Sequence, residues 1–200
     1  MNRREASKTE TRQLILTAAR KMFMERKVSE CTMRSIAREA GVSPASVVVH
    51  FRNKTVLLEE ALFEDVEREV LAAKDSMPKE APLLASFMHI YHHMFRYYDR
   101  KRELYRELIK CAVFSPADES PHLNRQMVDF LQFTGGMIEA GKATGTTLAH
   151  VDARTAATSL FSMYFYVLAN FLRDPDVTVE MATDSLSAMM AQLFDGILAK

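Results

Sequence analysis

The sequence contains few of the residues that form turns or crosslinks. Only six Gly and six Pro occur among 200 residues. This disfavours sandwiches and barrels, which need turn residues between many short strands. The two cysteines, Cys31 and Cys111, form neither a CxxC pair nor a disulfide framework. We therefore expect a helical protein in a reducing, cytoplasmic compartment.

Motifs of catalysis and targeting are also missing from the sequence. It contains no GxSxG, HExxH, P-loop or GxGxxG pattern, so we expect neither an enzyme nor a cofactor. The polar start, MNRREASKTETR, is not a secretory signal. Residues 155–172 form an uncharged stretch of 18 residues, close to the length of a membrane span. Its Thr, Ser and Asn residues favour a buried helix at a subunit interface and no membrane partner.

The formal net charge of zero conceals a strong asymmetry. Residues 1–55 hold 12 Lys and Arg against 5 Asp and Glu, a net charge of +7, and the remaining 145 residues carry −7. A basic head on an acidic body is typical of a polyanion-binding module attached to a separate scaffold, although chance unevenness is the simpler alternative.

Helical periodicity extends along almost the whole chain and predicts nine helices in an all-α fold. Two short helices, beginning at Thr32 and Ser43, are separated by Gly41, which suits the left-handed end of a helix. Ser43 is a typical N-cap residue, and Pro44 is well suited to a first helical position. This spacing predicts a helix-turn-helix DNA-binding domain over residues 1–54. A larger helical domain would follow over residues 55–200.

In a helix-turn-helix the second helix enters the major groove. Small residues at its start would let the backbone approach the base edges, and Arg34 has the fork geometry that reads guanine. Thr32 and Lys54 are placed for phosphate. The predicted DNA-binding residues are Arg4, Lys8, Thr32, Arg34, Ser43, Pro44, Ala45, Ser46, Val48, Val49, His50 and Lys54.

Each of these assignments has a plainer alternative. Val48 and Val49 could belong to the core, and His50 could pack under Phe51. The same helix spacing also occurs in proteins that bind no nucleic acid. A helical small-molecule carrier or adaptor is therefore the competing function.

One run of residues has a more specific pattern. The run Thr32-x-x-x-Ile36-Ala37-x-x-Ala40-Gly41-Val42-Ser43, followed by His50-Phe51-x-Asn53-Lys54 and Leu57-Leu58, resembles the DNA-binding domain of the TetR family of bacterial repressors. The resemblance implies a homodimer joined through its last two helices, which binds a palindromic DNA operator as a repressor and releases it when a small effector binds the larger domain. One departure is Val48, where the family usually has a Tyr whose hydroxyl binds phosphate; a contact to a thymine methyl would replace it, or none.

The larger domain is rich in residues that suit an apolar effector. Of the 18 Phe and Tyr residues, 15 lie beyond residue 80. Plain core packing is the alternative for each of them. The predicted ligand-binding residues are Met88, Tyr91, His92, Phe95, Met137, Phe161 and Phe165. The histidines at 89, 92 and 93 have a spacing that a metal could use, but no carboxylate or Cys lies close in sequence, so no metal site is expected.

Overall fold

The computed structural model describes residues 3–119 and 121–197, and these ranges contain nine α-helices and no strand. The prediction of an all-α chain with nine helices is thereby confirmed. Two 3-10 turns, Val28–Glu30 and Ala117–Glu119, complete the regular structure. The helices are α1 (Arg3–Glu25), α2 (Met33–Glu39), α3 (Pro44–His50), α4 (Lys54–Asp75), α5 (Leu83–Asp99), α6 (Arg102–Phe114), α7 (Pro121–Ala143), α8 (Ala153–Arg173) and α9 (Val179–Ile197).

Two compact units are formed by the described residues of these helices. The first comprises Met1–Val66 with Glu103–Asn124, and the second comprises Glu67–Arg102 with Arg125–Lys200. The predicted boundary between the DNA-binding domain and the larger domain, after residue 54, differs from this division, because it lies at the first residue of α4. The two units are defined by packing and not by contact with DNA. The division into a DNA-binding domain and a larger domain therefore stays a prediction.

In the first unit, α1, α2 and α3 pack around large apolar side chains. Ile15, Phe23, Ile36, Val47 and Phe51 are all buried. They follow helical spacing on their own elements, so each helix turns one apolar stripe inward. This packing fixes the angle between α2 and α3 and leaves their opposite faces in solvent.

The turn between α2 and α3 is built from local hydrogen bonds. Thr32 caps α2, because its hydroxyl accepts from the Ser35 amide at 3.0 Å and the Ser35 hydroxyl accepts from the Thr32 amide at 3.0 Å. Gly41 has φ +68°, a conformation that side chains disfavour, and it lets the chain reverse after Ala40. Ser43 then caps α3 by accepting from the Ser46 amide at 3.1 Å.

In the second unit, α5 packs against α8 and α9, and aromatic rings of α5 contact those of α8. The ring of Tyr164 on α8 lies 4.4 Å from that of Tyr91 and 5.5 Å from that of Phe95. Phe171 lies 5.4 Å from Phe95 and carries the Arg102 guanidinium 4.0 Å above its face. Helix α8 is also long and apolar enough to cross a membrane, but 44% of its most apolar stretch is buried inside the protein. Core helices pass the same test, so the absence of a membrane partner stays a prediction.

The start of α1 predicted from the sequence is wrong. Periodicity predicts a beginning near residue 10, capped by Thr9 or Thr11, whereas the helix begins at Arg3. Both threonine hydroxyls instead donate to carbonyls one turn earlier, to Glu5 at 3.0 Å and Ser7 at 2.9 Å. The first turns are polar all round, so they give no apolar stripe from which the helix could be read.

Candidate nucleic-acid interface

Helix α3 presents an open face of small side chains. Ser43, Pro44 and Ala45 are exposed, and Ser46 is half-buried, with its hydroxyl 3.1 Å from that of Ser43. The first turn of α3 is therefore open to solvent at these three exposed positions. A backbone with such small residues can approach base edges closely in a major groove about 12 Å wide.

Two valines extend this face toward the end of α3. Val48 is 57% exposed and Val49 is 76% exposed, whereas Val47 between them and Ser46 is fully buried. Neither exposed valine belongs to the core, so that alternative is wrong for both. Exposed apolar side chains at these positions suit contact with thymine methyl groups.

Basic side chains lie beside α3. Burial lowers the pKa of the half-buried His50 imidazole, and the positive charges of Lys8 and Arg12 on α1 lower it further. These two charges are therefore near the end of α3. The Arg12 guanidinium lies 5.1 Å from the Phe51 ring centroid and pairs with Glu60. The His50 ring lies 6.3 Å from that of Phe51 and is half-buried. Its burial therefore does not decide between packing under Phe51 and contact with DNA.

The remaining predicted contacts differ in how free they are. Arg34 and Lys8 are exposed, and the side chain of Arg4 lies outside the described residues. Thr32 is exposed while its oxygen caps α2. Lys54 is half-buried, and its Nζ donates to the carbonyl of Val28 at 3.0 Å, which engages one of its three hydrogens.

Sequence reasoning missed an acidic segment that holds the residues directly after α3. The Arg52 guanidinium donates to Asp118 Oδ2 at 2.9 Å and to Glu119 Oε1 at 2.5 Å. Asn53 Nδ2 donates to the same Glu119 oxygen at 2.9 Å, while Asn53 Oδ1 accepts from the Val56 amide at 2.9 Å and so caps α4. Asp118 and Glu119 therefore pair with the Arg52 charge, which lies directly after α3 in the sequence. No local pattern signals the pairing, because the partners are more than 60 residues apart.

A second missed residue is Glu59, a carboxylate buried on α4. Its Oε1 accepts from the backbone amides of His122 at 2.8 Å and Leu123 at 2.9 Å, in the first turn of α7. Burial raises the pKa of this carboxyl, and the two amides oppose that rise. Glu59 therefore caps α7 from another helix and ties its first turn to α4.

The predicted effector residues fall into two groups in the second unit. Tyr91 and Phe95 are buried, whereas Met88, His92, Met137, Phe161 and Phe165 are half-buried. The Tyr164 ring joins three of them, because it lies 6.2 Å from Phe161 as well as near Tyr91 and Phe95. Whether these residues contact an effector stays a prediction.

The three histidines of α5 have different partners. His89 Nε2 lies 3.0 Å from the Ser76 hydroxyl, His92 Nδ1 lies 3.1 Å from Thr183 Oγ1, and His93 Nε2 lies 2.9 Å from Glu69 Oε2. Within residues 3–119 and 121–197, no three His, Cys, Asp or Glu residues are grouped as a metal would need.

A capped helix-turn-helix with an open second helix and basic flanks defines a class of DNA-binding protein. Comparison with known proteins shows which family this domain resembles. Residues 15–61 match the family described as bacterial regulatory proteins, tetR family. The chain is 27% identical over 169 residues to the HTH-type transcriptional repressor BepR of Brucella suis, covering 82% of this chain and 81% of BepR.

Two further similarities extend over most of the chain. It is 25% identical over 199 residues to the HTH-type transcriptional regulator SrpR of Pseudomonas putida, covering 94% of this chain and 87% of SrpR. Its fold matches the fatty acid degradation regulator FadR of Bacillus halodurans with a TM-score of 0.68 at 18% identity, covering 90% of this chain and 93% of FadR. Through the match at residues 15–61 and the two curated regulators, the chain is similar to the TetR family of DNA-binding transcriptional regulators.

Proposed function

We propose that the chain is a cytoplasmic repressor that binds a roughly palindromic DNA operator as a homodimer and leaves it when a small, largely apolar effector binds the larger helical domain. The observation that carries the DNA-binding half is the exposed face of α3, where Val48 and Val49 project beyond a start made of small residues. The similarity to BepR, a transcriptional repressor, supports repression as the output.

Exposed apolar side chains on the last two helices support the dimer. Tyr166 on α8 is 61% exposed and Met181 on α9 is 55% exposed, although the two helices pack together through their other faces. Small residues, Ala169 and Ala188, are exposed on the same two helices and would allow close approach of a partner's helices. A two-fold axis through this surface would duplicate the DNA-binding unit, as a palindromic operator requires.

Effector release requires two conformers of different DNA affinity. To change operator occupancy from nearly complete to nearly empty, the effector must favour the released conformer by about 5.5 kcal/mol. The half-buried aromatic side chains of Phe161 and Phe165 support a site for an apolar molecule in the second unit.

A salt titration with duplex DNA tests the proposal against the carrier or adaptor alternative, which the comparisons do not favour. The repressor should bind duplex DNA at low salt and lose affinity linearly on a log–log plot as salt rises. A carrier would show no affinity even at low salt.

Two substitutions test the assigned roles within the interface. Arg34→Ala should relax base preference at one position of each half-site, because the exposed guanidinium reads a base. Lys54→Ala should weaken all sites alike and make the salt dependence shallower, because the ammonium would contact phosphate. Binding to a randomised operator library separates the two effects, and identical profiles for both variants would refute the assignment.

A further inference from the structure

Phe130 on α7 lies among polar atoms that the fold buries without partners. Gln126 and Thr134 are one turn before and one turn after it on the same helix face. The Tyr91 ring meets Phe130 edge-on at 5.9 Å. Gln126 Nε2, Thr134 Oγ1 and the Tyr91 hydroxyl are all buried, and none has a hydrogen-bond partner among the described residues. Folded proteins leave few such groups, because each one costs free energy until something accepts its hydrogen.

A cationic amine lies against the same ring. Lys74 Nζ at the end of α4 is 5.7 Å from the Phe130 ring centroid and 4.3 Å from that of Phe133. Lys74 is half-buried, and burial lowers the pKa of its ammonium, with the Asp129 charge opposing the shift. It makes no ion pair with the part of the chain that the structure describes.

These four groups share one chemical property. The Gln126 amide nitrogen and the Lys74 ammonium only donate hydrogen bonds, and the Tyr91 and Thr134 hydroxyls donate as well. A complementary molecule must therefore be rich in acceptors, and a negative charge would offset the desolvation of the ammonium.

Aromatic rings supply the other half of the recognition surface. Phe133 and Phe161 each lie 6.3 Å from Phe130, and both are half-buried, whereas Phe130 is buried. Faces and edges of several Phe rings favour a flat aromatic body over a flexible aliphatic one.

We propose that Lys74, Tyr91, Gln126, Phe130 and Thr134, here called the Phe130 cluster, bind the polar end of the effector and select an aromatic molecule that carries an anionic, acceptor-rich group such as a carboxylate or sulfonate. The inference rests on the proposed function and narrows its largely apolar effector to an aromatic anion. Lys74 provides the charge complement, and the three buried donors fix the orientation of the acceptor group.

Two fluorescent probes of one skeleton test this selectivity with the intact chain. 1-Anilinonaphthalene-8-sulfonate carries an anionic group, and N-phenyl-1-naphthylamine lacks it. We expect the sulfonate to bind at least tenfold more tightly. Lys74→Met and Thr134→Val should each weaken sulfonate binding at least fivefold and leave the neutral probe unchanged, whereas Lys74→Arg should retain most of the affinity.

Lys101→Met, at an exposed lysine of the same unit, is the matched control and should change neither affinity. Circular dichroism melts establish that each variant is folded. Equal affinity for both probes, or a silent Lys74→Met variant that is folded, would overturn the inference.

A DNA-release assay separates this inference from the proposed function. If the sulfonate binds as expected and also displaces DNA from the chain, both stand. If it binds with the expected dependence on Lys74 but leaves the DNA complex intact, the ligand class stands and the release step of the proposed function fails.

Discussion

Replacing Glu59 is expected to reveal how strongly α4 is tied to α7. Glu59→Ala removes the one acceptor shared by the His122 and Leu123 amides, which lie 2.8 and 2.9 Å from Oε1. Leu123 is buried and His122 is half-buried, so water replaces the lost acceptor only in part. An unsatisfied buried donor costs about 1–3 kcal/mol, and loss of the buried carboxylate offsets some of that cost. We expect a net loss of about 2 kcal/mol in the free energy of unfolding.

Urea denaturation at one fixed protein concentration measures this loss. With a slope of about 2 kcal/mol/M, the midpoint should fall by about 1 M while the slope stays unchanged. Glu59→Gln is the matched variant, because it keeps an oxygen acceptor and removes the charge, and it should stay within about 1 kcal/mol of the wild type. If Gln destabilised the chain as much as Ala did, the capping role would be refuted.

The difference in unfolding free energy between Glu59→Gln and the wild type should depend on pH with a definite sign. Burial raises the pKa of the Glu59 carboxyl above its unfolded value, so its contribution to stability is complete below the unfolded pKa and is lost as pH rises through the folded pKa. The difference in unfolding free energy between Glu59→Gln and the wild type should therefore shift in favour of Gln from pH 4 to pH 7. A shift in the opposite direction would contradict the assignment.

Three other substitutions should have distinct effects. Thr32→Ala removes the cap of α2 and should lower the free energy of unfolding by about 1 kcal/mol in urea denaturation, whereas a change below about 0.3 kcal/mol would show the cap to be unimportant. Arg52→Ala should leave the slope of DNA affinity against salt unchanged, because Asp118 and Glu119 already hold the guanidinium; a slope shallower by about 1 would place Arg52 on phosphate. Tyr166→Glu should yield monomers in analytical ultracentrifugation, while Leu71→Glu, at a similarly exposed position on α4, should not; an intact Tyr166→Glu dimer would remove α8 from the interface.

Local chemistry made the helix-turn-helix predictable from sequence. Gly41, the Ser43 cap and Pro44 act within a few residues of one another, so their positions alone define the turn and the start of α3. Lys54 is different, because its partner is the Val28 carbonyl, and that contact depends on how the 3-10 turn packs against α4.

Contacts that depend on long-range pairing and on burial could not be predicted from the sequence. The Arg52 pairing with Asp118 and Glu119 and the Glu59 cap on α7 join residues more than 60 positions apart, and no periodicity connects them. In the second unit, composition predicted aromatic packing but not which buried polar atoms would lack a hydrogen-bond partner among the described residues. The Tyr91 hydroxyl, which has no hydrogen-bond partner within residues 3–119 and 121–197, is buried by long-range packing of its ring against Phe130 and Tyr164.

The most direct test of a dimer that reads an operator is a footprint of the intact chain on genomic fragments selected for binding to it. Two protected major-groove segments are expected about one helical turn apart, related by an approximate two-fold axis, with one dimer bound per site. Protection of a single half-site by a monomer, or no protected fragment at low salt, would contradict the account.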